Sequence, residues 1–358
     1  MQLSDVESLQ QLNDYMETLD VIKPVYFEDD KILLLDQTLL PFTEKYIELN
    51  SVKEAAGAII EMKTRGAGAI AATALYGLLL NSKKYNSHLQ LKKAGEILKN
   101  TRPTASTLKW MIDQVMIAVD NDQDDRDIFE IVEEKCVELM KDKLDTAMKV
   151  AHSGAKVIED GDTVLTHCHA GAIAGIGYGG ITTGVFKECV KNGKDIKVIA
   201  TETRPYLQGA RITSWELNKF DIPVTLITDN MPGYYLEKNK IDKVLVGADR
   251  VTLNGDVANK IGTYLIALAA FENSVPFYVG ISEAGIDFTI DEGSEVPIEM
   301  RDPEEVRYIG DQRITLPEIK TEYPAFDITP HEFVSGFVTE KGIITPPYRK
   351  KFKTKYKK

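Results

Sequence analysis

The chain has 358 residues, enough for two domains of ordinary size, and its 43% hydrophobic and 27% charged residues are the balance of a globular protein with a sizeable core. A net charge of −12 argues against a nucleic-acid surface spread over the whole molecule, so any bound phosphate needs a local cluster of donors. Three scattered cysteines, Cys136, Cys168 and Cys189, exclude a disulfide framework or a Cys-x-x-Cys metal site and point to a reducing, cytoplasmic compartment.

The acidic, polar N-terminus reads as neither a signal nor a transit peptide, and the longest apolar stretch, 67–80, is too short to cross a bilayer. VYFEDDKILLLDQ has two strand-like runs around Asp29 and Asp30 and predicts a short hairpin. From Ser51 onward apolar residues recur at helical spacing, which predicts helices over 52–63, 67–80, 89–99 and 105–119 and a long one over 128–158. Residues 1–148 therefore read as a hairpin and helical domain.

The rhythm changes at Gly161 and Asp162. Short β-rich runs (TVLTHC, IKVIATE, PVTLITD, KVLVGAD, PFYVGI) alternate with helical patterns over 176–191, 210–220, 233–238 and 260–272. The fold class that follows is α/β, with residues 149–358 forming a Rossmann-like domain whose parallel sheet is covered by helices. Ligands bind beyond the carboxyl ends of such strands. Those ends carry Cys168, Glu202, Asp229, Asp249 and Ser282. The basic tail YRKKFKTKYKK reads as a solvated, frayed terminus.

Three groups of residues have chemistry to offer. THCHAG at 166–171 puts Cys168 between a strand end and the glycine-rich GIGYGGITTG, where a helix start would favour the thiolate and glycines would let N–H groups approach a phosphate. A core cysteine with packing glycines is the alternative. The flanking His167 and His169 are not expected to form a metal cluster with it. VGADRVTLNGDVANK at 246–260 ends an apolar strand on Asp249, either an acid–base group or a turn cap, and is expected to open a helix at Asn259 and Lys260. Arginines in small-residue loops (Arg65, Arg102, Arg204, Arg211) suit phosphate; each alone is more often a surface ion-pair residue, but three such loops together favour phosphate.

THC at 166–168, ETRPYLQGAR at 202–211 and the GADR and NGDVANKIGT runs within 247–263 closely resemble the methylthioribose-1-phosphate isomerase family. LDQ at 35–37, RGA at 65–67, RPT at 102–104 and RDPEEV at 301–306 extend the resemblance, which runs from about residue 31 to residue 346. The wider family includes ribose-1,5-bisphosphate isomerases and regulatory subunits of a translation-initiation guanine-exchange factor. The sequence offers no convincing metal-ligand set, and neither metal nor cofactor is expected; the resemblance implies a homodimer that acts on a small sugar phosphate. It makes Cys168 and Asp249 the catalytic pair and Arg65, Gly66, Ala67, Arg102, Gln208, Asn259 and Lys260 the substrate contacts. An Asp249 kept protonated by apolar surroundings would serve as acid and then base. Two positions depart from the family pattern: His169 and Ala170 stand where Asn and Thr are usual, and Gly68 where Pro is usual. The first departure is expected to change which C5 substituent the sugar pocket prefers.

Overall fold

The computed structural model describes residues 2–102, 105–124 and 126–356. Pro103 and Thr104 of the Arg102 motif, and the last two lysines of the tail, lie outside the described residues. The chain divides into two compact units, one of Met1–Met148 with Gly171–Gly180, the other of Lys149–Ala170 with Ile181–Lys358.

The first unit begins with α1 (Leu9–Glu17), a helix absent from the sequence reading, whose cap Ser8 accepts the Gln11 N–H. The expected hairpin, β1 (Val25–Glu28) with β2 (Lys31–Leu35), gains β3 (Tyr46–Leu49) and becomes a three-stranded antiparallel sheet. Helices α2 (Val52–Ile60), α3 (Ala67–Tyr85), α4 (His88–Lys99), α5 (Ser106–Asp120) and α6 (Ile128–Gly154) follow. An unbroken run of small and apolar residues from Ala69 to Leu79 is buried on every side of α3, which makes that helix the core of the unit. The start of α3 is pressed against segment 171–180. The N–H groups of Gly68 and Ala69 both donate to the Ala174 carbonyl, and a Cβ on Gly68 would stand 2.9 Å from the Gly175 Cα. That close approach leaves little room for a side chain at position 68.

The second unit contains β4 (Thr163–Thr166), α7 (Thr183–Lys191), β5 (Lys197–Thr201), α8 (Ser214–Lys219), β6 (Val224–Ile227), α9 (Pro232–Glu237), β7 (Lys243–Val246), β8 (Arg250–Thr252), β9 (Val257–Lys260), α10 (Thr263–Glu272), β10 (Phe277–Gly280) and β11 (Ile286–Asp287). It ends with α11 (Glu304–Arg307), β12 (Tyr308–Ile309), β13 (Gln312–Arg313), β14 (Phe326–Thr329), β15 (Gly336–Thr339), β16 (Gly342–Ile344) and α12 (Tyr348–Tyr356). The main sheet runs β16-β15-β10-β7-β4-β5-β6, parallel throughout except for the antiparallel edge strand β16. Successive residues serve opposite faces. Val164 and Leu245 pack with α7 and α8 side chains, whereas Leu165, Val244 and Val246 pack with α9, α10 and α12. From β4 the chain proceeds outward to β5 and β6 and then returns to the other side at β7. The strand order therefore reverses between β4 and β7, the place where such sheets bind ligands.

Three expectations are overturned here. The helix expected over 176–191 begins only at Thr183, because Gly177, Gly179 and Gly180 all take positive φ. Asn259 and Lys260 do not open a helix. They end β9, which β8 and β14 pair from either side in a second, four-stranded sheet (β11-β8-β9-β14). The tail is not frayed, since Tyr348, Phe352 and Tyr356 recur every four residues and are buried on one face of α12.

Candidate active site

Cys168 lies two residues beyond β4, at the reversal of strand order. It is not at a helix start, because the segment after it is irregular up to α7. Its backbone takes a left-handed φ of 66°. Its N–H donates to Thr203 Oγ1 at 3.0 Å, and its carbonyl accepts the Thr213 hydroxyl at 2.7 Å. Its Sγ receives the Gln208 Nε2 amide at 3.3 Å. Cys168 is partly exposed, whereas Cys136 and Cys189 are fully buried and burial raises both of their thiols, that of Cys189 to about 11.

Gln208 is delivered by the loop after β5. The N–H groups of Thr203 and Arg204 both donate to the Asp229 carboxylate at the end of β6, at 2.8 and 2.7 Å. Past Gln208 the chain makes a π-helical turn, Gly209–Thr213, before α8, where a plain helix was expected. Gly209 is pressed against β5 so closely that a Cβ would fall 1.8 Å from the Thr201 carbonyl oxygen. Arg204 is not free for phosphate, because its guanidinium donates to the Val306 and Tyr308 carbonyls at 2.8 Å each. Arg211 lies over the Tyr206 ring, 4.9 Å from its centroid. Glu202, beside these, is held above the usual carboxylate range by burial and by the Asp229 charge.

Asp249 stands on the turn between β7 and β8, and its N–H donates to the Ala258 carbonyl at 3.0 Å. That bond sets it next to the strand carrying Asn259 and Lys260. The sequence reading gave it apolar surroundings, but the residue is exposed. Asn259 and Lys260 are buried at 4% and 8% exposure. Asn259 Nδ2 donates to Thr263 Oγ1 at 3.0 Å, and Lys260 Nζ lies 4.7 Å from the Phe326 ring centroid and 5.7 Å from that of Tyr323. In the first unit, Arg65, Gly66 and Ala67 lead into α3, and Arg102 follows α4.

One residue that no motif announced, Asp327, joins the two flanking histidines in the second unit's site. Asp327 faces Asn259 across the β9–β14 pairing and accepts the Gly262 and Tyr264 N–H groups at 2.7 and 3.1 Å. Burial pushes its carboxyl up to about 6 against those two bonds. The only sequence signal was an acidic residue inside the strand FDIT. His167 spans from Thr201 Oγ1 (2.6 Å) to the Ile261 carbonyl (2.9 Å), and burial lowers its pKa, so the neutral ring donates from Nε2. His169 turns instead to Thr213 and Glu216. Among the described residues no group of three or more His, Cys, Asp or Glu is placed to hold a metal, and no helix is long and apolar enough to cross a membrane.

The chain belongs to the Initiation factor 2 subunit family, whose model matches residues 63–346. More narrowly, the chain is a member of the methylthioribose-1-phosphate isomerase family. It is 45% identical over 340 residues to the methylthioribose-1-phosphate isomerase of Acetivibrio thermocellus, with 93% of this chain and 99% of that one covered. The crystal structure of 5-methylthioribose 1-phosphate isomerase from Pyrococcus horikoshii OT3 superposes with a TM-score of 0.91 at 34% identity, covering 100% of this chain and 99% of that one. A structure described as translation initiation factor eIF-2B, subunit delta, from A. fulgidus superposes with a TM-score of 0.88 at 38% identity, covering 94% of this chain and 100% of that one.

Proposed function

We propose that this protein is an aldose–ketose isomerase that converts 5-methylthioribose 1-phosphate into 5-methylthioribulose 1-phosphate, a step of methionine salvage. The observation that carries the reading is the position of Cys168 and Asp249 beyond the ends of β4 and β7, on either side of the reversal in strand order. The names of the relatives at 45% and 34% identity support it.

An aldose phosphorylated on its anomeric oxygen has no anomeric hydroxyl proton to lose, so its ring does not open by itself. Protonation of the ring oxygen breaks the bond from that oxygen to C1. Hydrogen then passes from C2 to C1, and the 2-hydroxyl loses its proton to become the ketone. In the proposed sequence Asp249, protonated once the bound sugar covers it from water, gives that proton to the ring oxygen and takes one back from the 2-hydroxyl, so it ends as it began. Cys168 serves the hydrogen transfer, as a base or as a thiolate opposing the positive charge that develops at C1. The proposed substrate contacts are Arg65, Gly66, Ala67 and Arg102 together with Gln208, Asn259 and Lys260. Neither metal nor cofactor enters this sequence, and dialysis against a chelator is expected to leave activity unchanged. In this reading the domains are residues 1–148 and 149–358, and the protein is a cytoplasmic homodimer.

The test is to incubate the pure protein with 5-methylthioribose 1-phosphate, 5-deoxyribose 1-phosphate and ribose 1,5-bisphosphate and to follow ketose formation by NMR. Turnover is expected to be fastest with the methylthio sugar. Preference for either other sugar would transfer the reading to that substrate. Absence of ketose from all three would favour a regulatory subunit, the reading that the eIF-2B name on the A. fulgidus structure suggests.

A further inference from the structure

A left-handed φ of 66° is disfavoured for a residue with a Cβ, so the backbone at Cys168 needs to be held. The Thr213 hydroxyl does part of this, donating to the Cys168 carbonyl at 2.7 Å. A hydroxyl has one hydrogen to give. Thr213 Oγ1 therefore meets His169 Nδ1, 3.0 Å away, as an acceptor, and Nδ1 must carry a proton. On the far side of the ring, Nε2 lies 3.5 Å from Glu216 Oε2, with both side chains fully buried.

We propose that His169, anchored by Glu216, is a positioning residue for Cys168: it orients the Thr213 hydroxyl that pins the cysteine carbonyl and so fixes the backbone kink presenting the thiol. The proposal rests on reading Cys168 as catalytic. It moves His169 from a wall of the sugar pocket to a strut behind the cysteine, so the C5 preference expected of it from the sequence gives way to an effect on turnover. An Asn at this position could supply a donor to Thr213 but has no second ring nitrogen to face Glu216.

Two measurements test it. Protein with 15N-labelled histidine reports each ring's protonation by NMR, and its five histidines keep the spectrum assignable. His169 is expected to carry a proton on Nδ1 at neutral pH. His167, which donates from Nε2, is the reference for the opposite tautomer. A His169 ring protonated on Nε2 alone would overturn the proposal, and this readout needs no substrate, so it stands even if the isomerase reading fails. For turnover, Thr213→Val is expected to lower kcat roughly tenfold or more with KM little changed, and Thr213→Ser to restore it. His169→Leu should behave like the valine variant if it folds. Wild-type kcat in Thr213→Val would sink the idea.

Discussion

Gln208 Nε2 donates to Cys168 Sγ at 3.3 Å while its Oε1, also buried, has no hydrogen-bond partner among the described residues. A buried acceptor without a donor is costly unless a ligand supplies one. One amide therefore holds the sulfur with its nitrogen and leaves its oxygen for a donor from the proposed substrate. Gln208→Leu is expected to lower kcat/KM by roughly 10- to 100-fold, the value of a hydrogen bond to a charged group, through both parameters. An unchanged kcat would remove the thiol contact from catalysis, and an unchanged KM would remove the acceptor.

Asp249→Asn keeps the shape of the side chain but cannot exchange a proton. A loss of roughly 10²- to 10⁴-fold in kcat with substrate binding retained is expected. Cys168→Ser should be similarly damaging, because the hydroxyl is far less acidic than the thiol, whereas Cys136→Ser and Cys189→Ser should leave turnover intact. Calorimetric titration of each variant separates binding from chemistry. Loss of folding in Asp249→Asn would instead assign the residue to capping the turn that precedes β8.

Much of this site was legible as strand ends. The alternation of apolar runs predicts the parallel sheet, and Cys168, Glu202, Asp229 and Asp249 do emerge beyond its strands. What the sequence hid depends on distant partners. Asn259 and Lys260 read as a helix start because the apolar residues after them have helical spacing. Their strand character comes from β14, far along the chain, which pairs Phe326 with Lys260 and Asp327 with Asn259. His169 carries no local mark of its destination, since Thr213 and Glu216 lie in a stretch whose spacing reads as plain helix. The close approach of Gly175 to Gly68 is likewise invisible in the local sequence.

The tail was misread because its lysines outweigh its aromatic spacing. Phe352 is completely buried, with its ring 5.2 Å from that of Phe337 and 6.0 Å from that of Tyr348. Phe352→Ala is expected to cost about 3–5 kcal/mol of stability, the usual range for deleting a core aromatic. Lys353→Ala, on the exposed face of the same helix, should change stability by less than about 0.5 kcal/mol. Urea unfolding of both variants checks the pair, and equal small effects would return the tail to the surface.

Asp327 gives the fold a pH dependence whose sign is opposite to that of a salt-bridged carboxylate. Burial raises its carboxyl from 3.8 to about 6, although Gly262 and Tyr264 donate to it and the Lys260 charge opposes the rise. The native state thus binds a proton that the unfolded chain has already released. The resulting stabilisation is full below about pH 4 and is lost as pH rises through about 6, so near neutrality the ionised group is a net cost. A shift of about two units corresponds to at most ~3 kcal/mol, less once partial solvent exposure screens the site. Asp327→Asn cannot ionise, so the stability difference between parent and variant should change steadily between about pH 4 and pH 7 in the variant's favour. Taking the difference cancels the carboxylates common to both proteins. Urea midpoints that run parallel across this range would show that Asp327 does not titrate there.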